Sequence, residues 1–312
     1  QPETRQDINA GSFTSIRFSV DSHPLTLIEA DGTLLTPTAI SGVTLAVAQR
    51  YSVLLHANAT ASDNGTYWMR TELQTDMFTY DQPGQNTDIR GFLRYDNAPA
   101  AGFPGDPASD DPGPGVPGLS DVDGMTALVP LTQEPAPDAT RAYPVTVSFQ
   151  YTDDGQFLGF MNNTSWDPLA GSTLMAVLGN STGFAPEGVS TPNDDQLLAT
   201  EDSIQVVDIR VDYLDDGDHP FHLHGHRPWI MGSGVGRYVG QALDTTNPLR
   251  RDTVLIPAYS WLVIVRRPGV WAFHCHLAWH MSAGLLMQFV SQPSVLARME
   301  VPRDVVAQCR VQ

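Results

Sequence analysis

Residues 273–280 read Phe-His-Cys-His-Leu-Ala-Trp-His, so Cys275, one of only 2 cysteines in the chain, lies between His274 and His276, with His280 five residues on. The segment before it, Gly269-Val-Trp-Ala-Phe273, is apolar. Side chains along a strand alternate between its faces. Cys275 can therefore offer a thiolate to a metal on one face while His274 and His276 point to the other, and one strand end can bridge two metal sites. A short turn returns His280 to the metal held by the sulfur. Trigonal ligation by two histidines and one cysteine, with a weak or absent axial ligand, is the blue-copper arrangement.

A second cluster, Asp218-His-Pro-Phe-His-Leu-His-Gly-His226, puts histidines at 219, 222, 224 and 226. Zinc takes four closed N/S ligands, or three and a water. The two clusters instead offer a larger set divided between two centres, which favours copper over zinc and over histidines that merely satisfy core hydrogen bonds. His23 and His56 stand alone beside strand-like segments and are read as structural.

The runs HPFHLHGH (219–226) and HCHLAWH (274–280), in that order and spacing, resemble the third and fourth copper motifs of the multicopper oxidases, specifically the ascomycete laccase-like branch. The resemblance implies that His219, Cys275 and His280 ligate type 1 copper, His222 type 2 copper, and His224, His274 and His276 type 3 copper. His226 has no ligand role in the family pattern. Leu285 falls at the usual axial position and cannot coordinate, which favours Cu(I) and a high reduction potential. The implied reaction is one-electron oxidation of phenolic or related aromatic donors, with electrons passing from Cys275 to His274 and His276 and four of them reducing O2 to water. Asp218 and Asp252 are candidates for orienting the imidazoles. Many laccases carry acids where this chain has Arg227 and Ser291.

The family's trinuclear cluster uses eight histidines, and this chain matches four; no His-x-His precedes position 222. The resemblance therefore implies a partner chain with an N-terminal cupredoxin domain and the other four histidines, giving four coppers in the complete enzyme. The chain would be the large chain of a two-chain laccase-like oxidase. With Cys275 on copper, Cys309 is left over and is a candidate disulfide link to that partner. Two rivals stand beside this reading: an electron-transfer protein with type 1 copper alone, and a metal oxidase for Fe(II) or Cu(I). The first has no use for His222, His224, His274 and His276; the second calls for acids near His219 or His280.

The elements that must position these residues read as all-β: two Greek-key cupredoxin sandwiches, one incomplete and one complete. Alternating strands run through 13–95, in an order similar to the second laccase cupredoxin domain, whose first strands would precede Gln1. The expected division is residues 1–97, part of cupredoxin domain 2; 98–142, a Pro/Gly-rich linker; 143–295, cupredoxin domain 3; and 296–312, a tail. Short helices are expected over 279–286 and 293–299. Loops at 72–88, 165–170, 232–240 and 279–285 are the expected substrate walls.

A length of 312 residues suits about two domains. A formal charge of −18 argues against nucleic acid or anionic membrane as partner, and no apolar run approaches the ~20 residues of a membrane helix. Sequons at Asn58, Asn64, Asn162, Asn163 and Asn180 favour a secreted, extracellular glycoprotein. The start, Gln1-Pro-Glu-Thr-Arg5, is no signal peptide: one has been removed, or the segment belongs to another piece.

Overall fold

Alternation of apolar and polar residues builds the strands. In the computed structural model, which describes residues 3–59, 65–80, 83–95, 118–119, 127–168, 172–179, 187–191, 195–266, 270–300 and 302–308, two units divide the chain. The first, Gln1–Glu134 with Thr246–Leu255, holds β1 (Glu3–Ile8), β2 (Ile16–Val20), β3 (Leu25–Ala30), β4 (Thr33–Ile40), β5 (Gly42–Leu45), β6 (Arg50–Leu55), β7 (Thr66–Leu73) and β8 (Asp88–Arg94). They form sheets in the orders β1-β6-β3-β4 and β5-β2-β7-β8. Tyr51, Val53 and Leu55 of β6 are buried at alternate positions, with Phe18, Leu27 and Val43 in the same unit's core. Pro37 interrupts the pattern of β4, so the sequence does not announce that strand. Its place at a sheet edge tolerates a residue without an N–H.

The second unit, Pro135–Thr245 with Ile256–Gln312, begins with β9 (Arg141–Tyr151), β10 (Phe157–Met161), α1 (Thr173–Gly179), β11 (Gly188–Ser190), β12 (Leu198–Glu201), β13 (Val207–Tyr213), β14 (His219–Leu223) and β15 (Trp229–Val235). After β16 (Leu249–Arg250) and β17 (Thr253–Ile256) come β18 (Ser260–Arg266), β19 (Val270–Cys275), α2 (Ala278–Ser282), β20 (Leu286–Ser291), α3 (Pro293–Leu296) and α4 (Arg303–Gln308). One sheet includes β10-β9-β13-β18-β15 and the other β11-β12-β20-β19-β14. Non-sequential neighbours and burial of Val207, Ile209, Val211 and Tyr213 on one face of β13 make a two-sheet sandwich. No helix among the described residues is long and apolar enough to cross a membrane.

The structure adds detail to the sequence pattern. Helix α2 stops at Ser282 because Gly284 has φ +112°, where an added Cβ would lie 2.7 Å from the Gly159 carbonyl oxygen; strand β20 then starts at Leu286. The tail contains α4, while Cys309, Asn64 and Asn180 lie outside the described residues. Segment 246–255 groups with the first unit, and its arginine is buried there: Arg251 Nε donates to Asp31 Oδ2 at 2.7 Å, both side chains fully buried, and Arg251 Nη1 donates to the Tyr51 hydroxyl at 2.9 Å. Next to it, Asp252 accepts two bonds from Arg50, at 2.6 and 2.8 Å.

Breaking a buried pair strands a charge in a low-dielectric interior. Asp31→Asn is expected to lower unfolding free energy by roughly 3–5 kcal/mol in a denaturant titration followed by tryptophan fluorescence. A loss below about 1 kcal/mol, the scale of an exposed pair, would show that Arg251 does not depend on it.

Candidate metal centre

Strand register sorts the ligand candidates. Across β14 and β19, Phe221 opposes Cys275, His222 opposes His274, and Leu223 opposes Phe273. Opposed residues share a face, so Cys275 and Phe221 lie on one side of the sheet and His222 and His274 on the other. His219, two positions before Phe221, falls on the cysteine side. Helix α2 lifts His280 back over the same point, with its Nδ1 3.9 Å from Cys275 Sγ.

Among the described residues, His219, Cys275 and His280 form the group whose metal-ligating atoms all lie within 4.8 Å of one another. His219 and Cys275 are buried. Tyr213 hydrogen-bonds His219 Nδ1, whereas His219 Nε2 is buried with no hydrogen-bond partner and stands 3.5 Å from Asp215 Oδ2. Burial pushes His219 far below the usual histidine range, with repulsion from His280 adding to it, and burial lowers His280 to about 4. The imidazoles are thus neutral, the form that ligates a metal. Burial also drives the Cys275 thiol up, so a metal must displace its proton. Two imidazoles, one sulfur and an orphaned buried nitrogen fit a trigonal copper site.

Leu285 is fixed in the same loop. Its N–H donates to the His280 carbonyl at 3.1 Å and its carbonyl accepts from Cys275 N–H at 3.1 Å. A Cβ on Gly159 would stand 2.6 Å from Leu285 Cγ, so the glycine makes room for this fully buried side chain.

The opposite face gathers the other four histidines. Ring centroids of His222 lie 4.8 Å from His224, 5.8 Å from His274 and 5.6 Å from His276, and His224 and His274 approach with Nε2 atoms 3.0 Å apart. His274 Nδ1 donates to the Cys275 carbonyl at 2.8 Å. That bond fixes the tautomer and leaves the Nε2 lone pair for a metal. Burial lowers His274 to about 4. His224 is exposed, and His222 and His276 are half-buried, so this set opens to solvent.

The remaining candidates sit elsewhere. His226 Nδ1 donates to the His224 carbonyl at 2.9 Å, and buried His23 bonds Tyr95 at 2.6 Å. Asp218 accepts from Ala258 N–H at 2.8 Å, and Asp252 pairs with Arg50; the acid against a site histidine is Asp215. Ser291 donates to Glu201 at 2.5 Å. His274 pairs with Leu286, so Ser291 is five positions along β20 from it, roughly 16 Å at strand rise. Asn162 is held at both ends of its amide, by Thr146 N–H at 2.8 Å and the Pro144 carbonyl at 2.9 Å, whereas Asn58 and Asn163 are exposed.

Sequence reasoning missed Tyr213, Asp215 and Phe149, whose ring meets His280 edge-on at 4.8 Å and His219 at 5.7 Å. The acidic run 215–218 ahead of His219 was a visible signal for Asp215. Nothing in the sequence marks Phe149, which arrives from a strand distant in the chain.

Two family models, both described as multicopper oxidase, match residues 8–98 and 166–295. The chain is 32% identical to the iron transport multicopper oxidase fio1 of Schizosaccharomyces pombe, over 97% of this chain and 48% of that protein. It is 30% identical to Laccase-1 of Botryotinia fuckeliana, over 93% and 49%. The chain thus spans about half the length of these relatives. Among solved structures, Fet3p, a multicopper oxidase that functions in iron import, superposes with a TM-score of 0.83 at 23% identity, over 98% of this chain and 59% of that one. A laccase from Botrytis aclada gives 0.77 at 26%, over 98% and 54%. Both histidine motifs of this chain fall within the second matched segment, on a cupredoxin sandwich like those of these neighbours, and the chain belongs to the multicopper oxidase family.

Proposed function

We propose that this chain is the larger part of a laccase-like oxidase that takes electrons singly from phenolic or related aromatic donors and passes them, four at a time, to O2. One observation carries the reading: the ligand atoms of His219, Cys275 and His280 meet within 4.8 Å, while the two neighbours of Cys275 in sequence meet His222 across the sheet. Copper held by His219, Cys275 and His280 would supply one-electron redox chemistry, and copper held with His222, His224, His274 and His276 would supply the chemistry of dioxygen reduction. The protein's part is to keep the imidazoles neutral, shield the sulfur from water, and connect the two sets by one peptide unit on either side of Cys275. His280, less buried than His219 and flanked by exposed Trp279 and Met281, is the edge at which a donor approaches.

The open histidine face supports a second component, an N-terminal cupredoxin domain with four more histidines, in a partner chain that Cys309 could tether. Family relatives twice this length are compatible with such a domain. Exposed sequons at Asn58 and Asn163 support secretion.

A metal oxidase is the second reading, favoured by Asp215 lying 3.5 Å from His219. Oxygen uptake by the copper-loaded protein separates the two. The laccase-like reading expects a higher kcat/KM for 2,6-dimethoxyphenol than for Fe(II). The reverse order, with Fe(II) oxidation falling about tenfold in Asp215→Asn, would establish the metal oxidase, and no oxygen uptake with either donor would leave electron transfer alone.

Two substitutions test the site itself. Cys275→Ser is expected to abolish the blue absorption, and a variant that stays blue contradicts the ligand assignment. Leu285→Met is expected to lower the reduction potential while the protein stays blue, because a thioether can approach the metal where an alkyl chain cannot. An unchanged potential would show that the Leu285 side chain does not face a copper held by His219, Cys275 and His280.

A further inference from the structure

Hairpin β9–β10 carries a run of aromatic rings from solvent to the metal-site histidines. Register opposes Tyr151 to Phe157 and Phe149 to Gly159. Along β9 the face that buries Val145 and Val147 continues to half-buried Phe149 and then to Tyr151, which is 76% exposed. The hairpin therefore extends past the core that anchors it. Tyr151 and Phe157 lie 5.0 Å apart, Phe157 stacks on Phe149 at 5.1 Å with planes 11° apart, and Phe149 meets His280 at 4.8 Å. Single exposed apolar residues are ordinary. Two exposed rings, joined to each other and ending on His280, are a surface of a different kind.

The hairpin turn gives this surface a charge. It reads Thr152-Asp-Asp-Gly155, with Asp153 and Asp154 exposed. Asp154 accepts bonds from Thr152 and from Gln156 Nε2 at 2.8 Å, and these bonds hold its carboxyl below the usual range. Aromatic faces stack on flat rings and attract cations; a carboxylate rim repels anions.

We propose that Tyr151 and Phe157 form a stacking shelf that selects electron-rich aromatic donors that are neutral or cationic and delivers their rings to the His280 edge. The proposal rests on the aromatic-donor reading above and narrows its substrate class. It places specificity on a strand hairpin rather than on the loops around positions 72–88, 165–170, 232–240 and 279–285.

Two redox-inert rings of opposite charge, benzyltrimethylammonium and benzenesulfonate, test the shelf by NMR titration of the purified protein. The cation is expected to bind at least about tenfold more tightly than the anion, with its Kd raised about fivefold in Tyr151→Ala and in Phe157→Ala. Asp153→Asn with Asp154→Asn should narrow the preference. In turnover, KM for 2,6-dimethoxyphenol should rise about fivefold in either aromatic variant, with kcat within twofold, the blue absorption unchanged and ferrocyanide oxidation unaffected. Equal affinity for the two rings, or a Kd unmoved in both aromatic variants, overturns the proposal. A shelf that binds as expected in a protein that oxidises no phenol would refute the aromatic-donor function instead.

Discussion

The site depends on the two-residue alternation of strand β19. Because its register against β14 opposes Cys275 to Phe221 and His274 to His222, the sulfur faces His219 and His280 on one side while its flanking imidazoles gather with His222 and His224 on the other. A slip of one residue would exchange the faces and dissolve both sets. Pairing of β19 with β20 on its far side, from Val270–Val290 to His274–Leu286, holds that register from both edges.

Burial sets the chemistry of what the register assembles. His219 and Cys275 are removed from water, so the imidazoles stay neutral and the thiol keeps its proton until something displaces it. Such a group is costly to leave unpaired, and His219 Nε2 has no hydrogen-bond partner. The second set differs in kind: His224 is exposed and His222 and His276 are half-buried. One set is closed by its own fold, and the other is open.

The two groupings of side chains were legible in the sequence because both motifs are local. Spacing within HCHLAWH and HPFHLHGH is fixed by one strand and one short turn each, so period-two alternation alone separates the sulfur from the imidazoles. The surroundings were not legible, because they come from afar. Phe149 and Gly159 reach His280 and Leu285 from a hairpin more than a hundred residues earlier, and no local pattern reports that approach. The sandwich class followed from strand alternation, but the buried pairing of Arg251 with Asp31, 220 residues apart in the chain, has no local signal. Pro37 hid β4 for a similar reason: propensity describes the residue, and edge position is a property of the sheet.

Native mass spectrometry of the purified protein, with copper counted and the measurement repeated after denaturation with and without reductant, tests the central claim most directly. The account predicts a species heavier than 33.9 kDa that carries four coppers and, on reduction alone, releases a chain supplying the other histidines. A species of 33.9 kDa plus glycans with at most one copper would contradict it, leaving a single electron-transfer site.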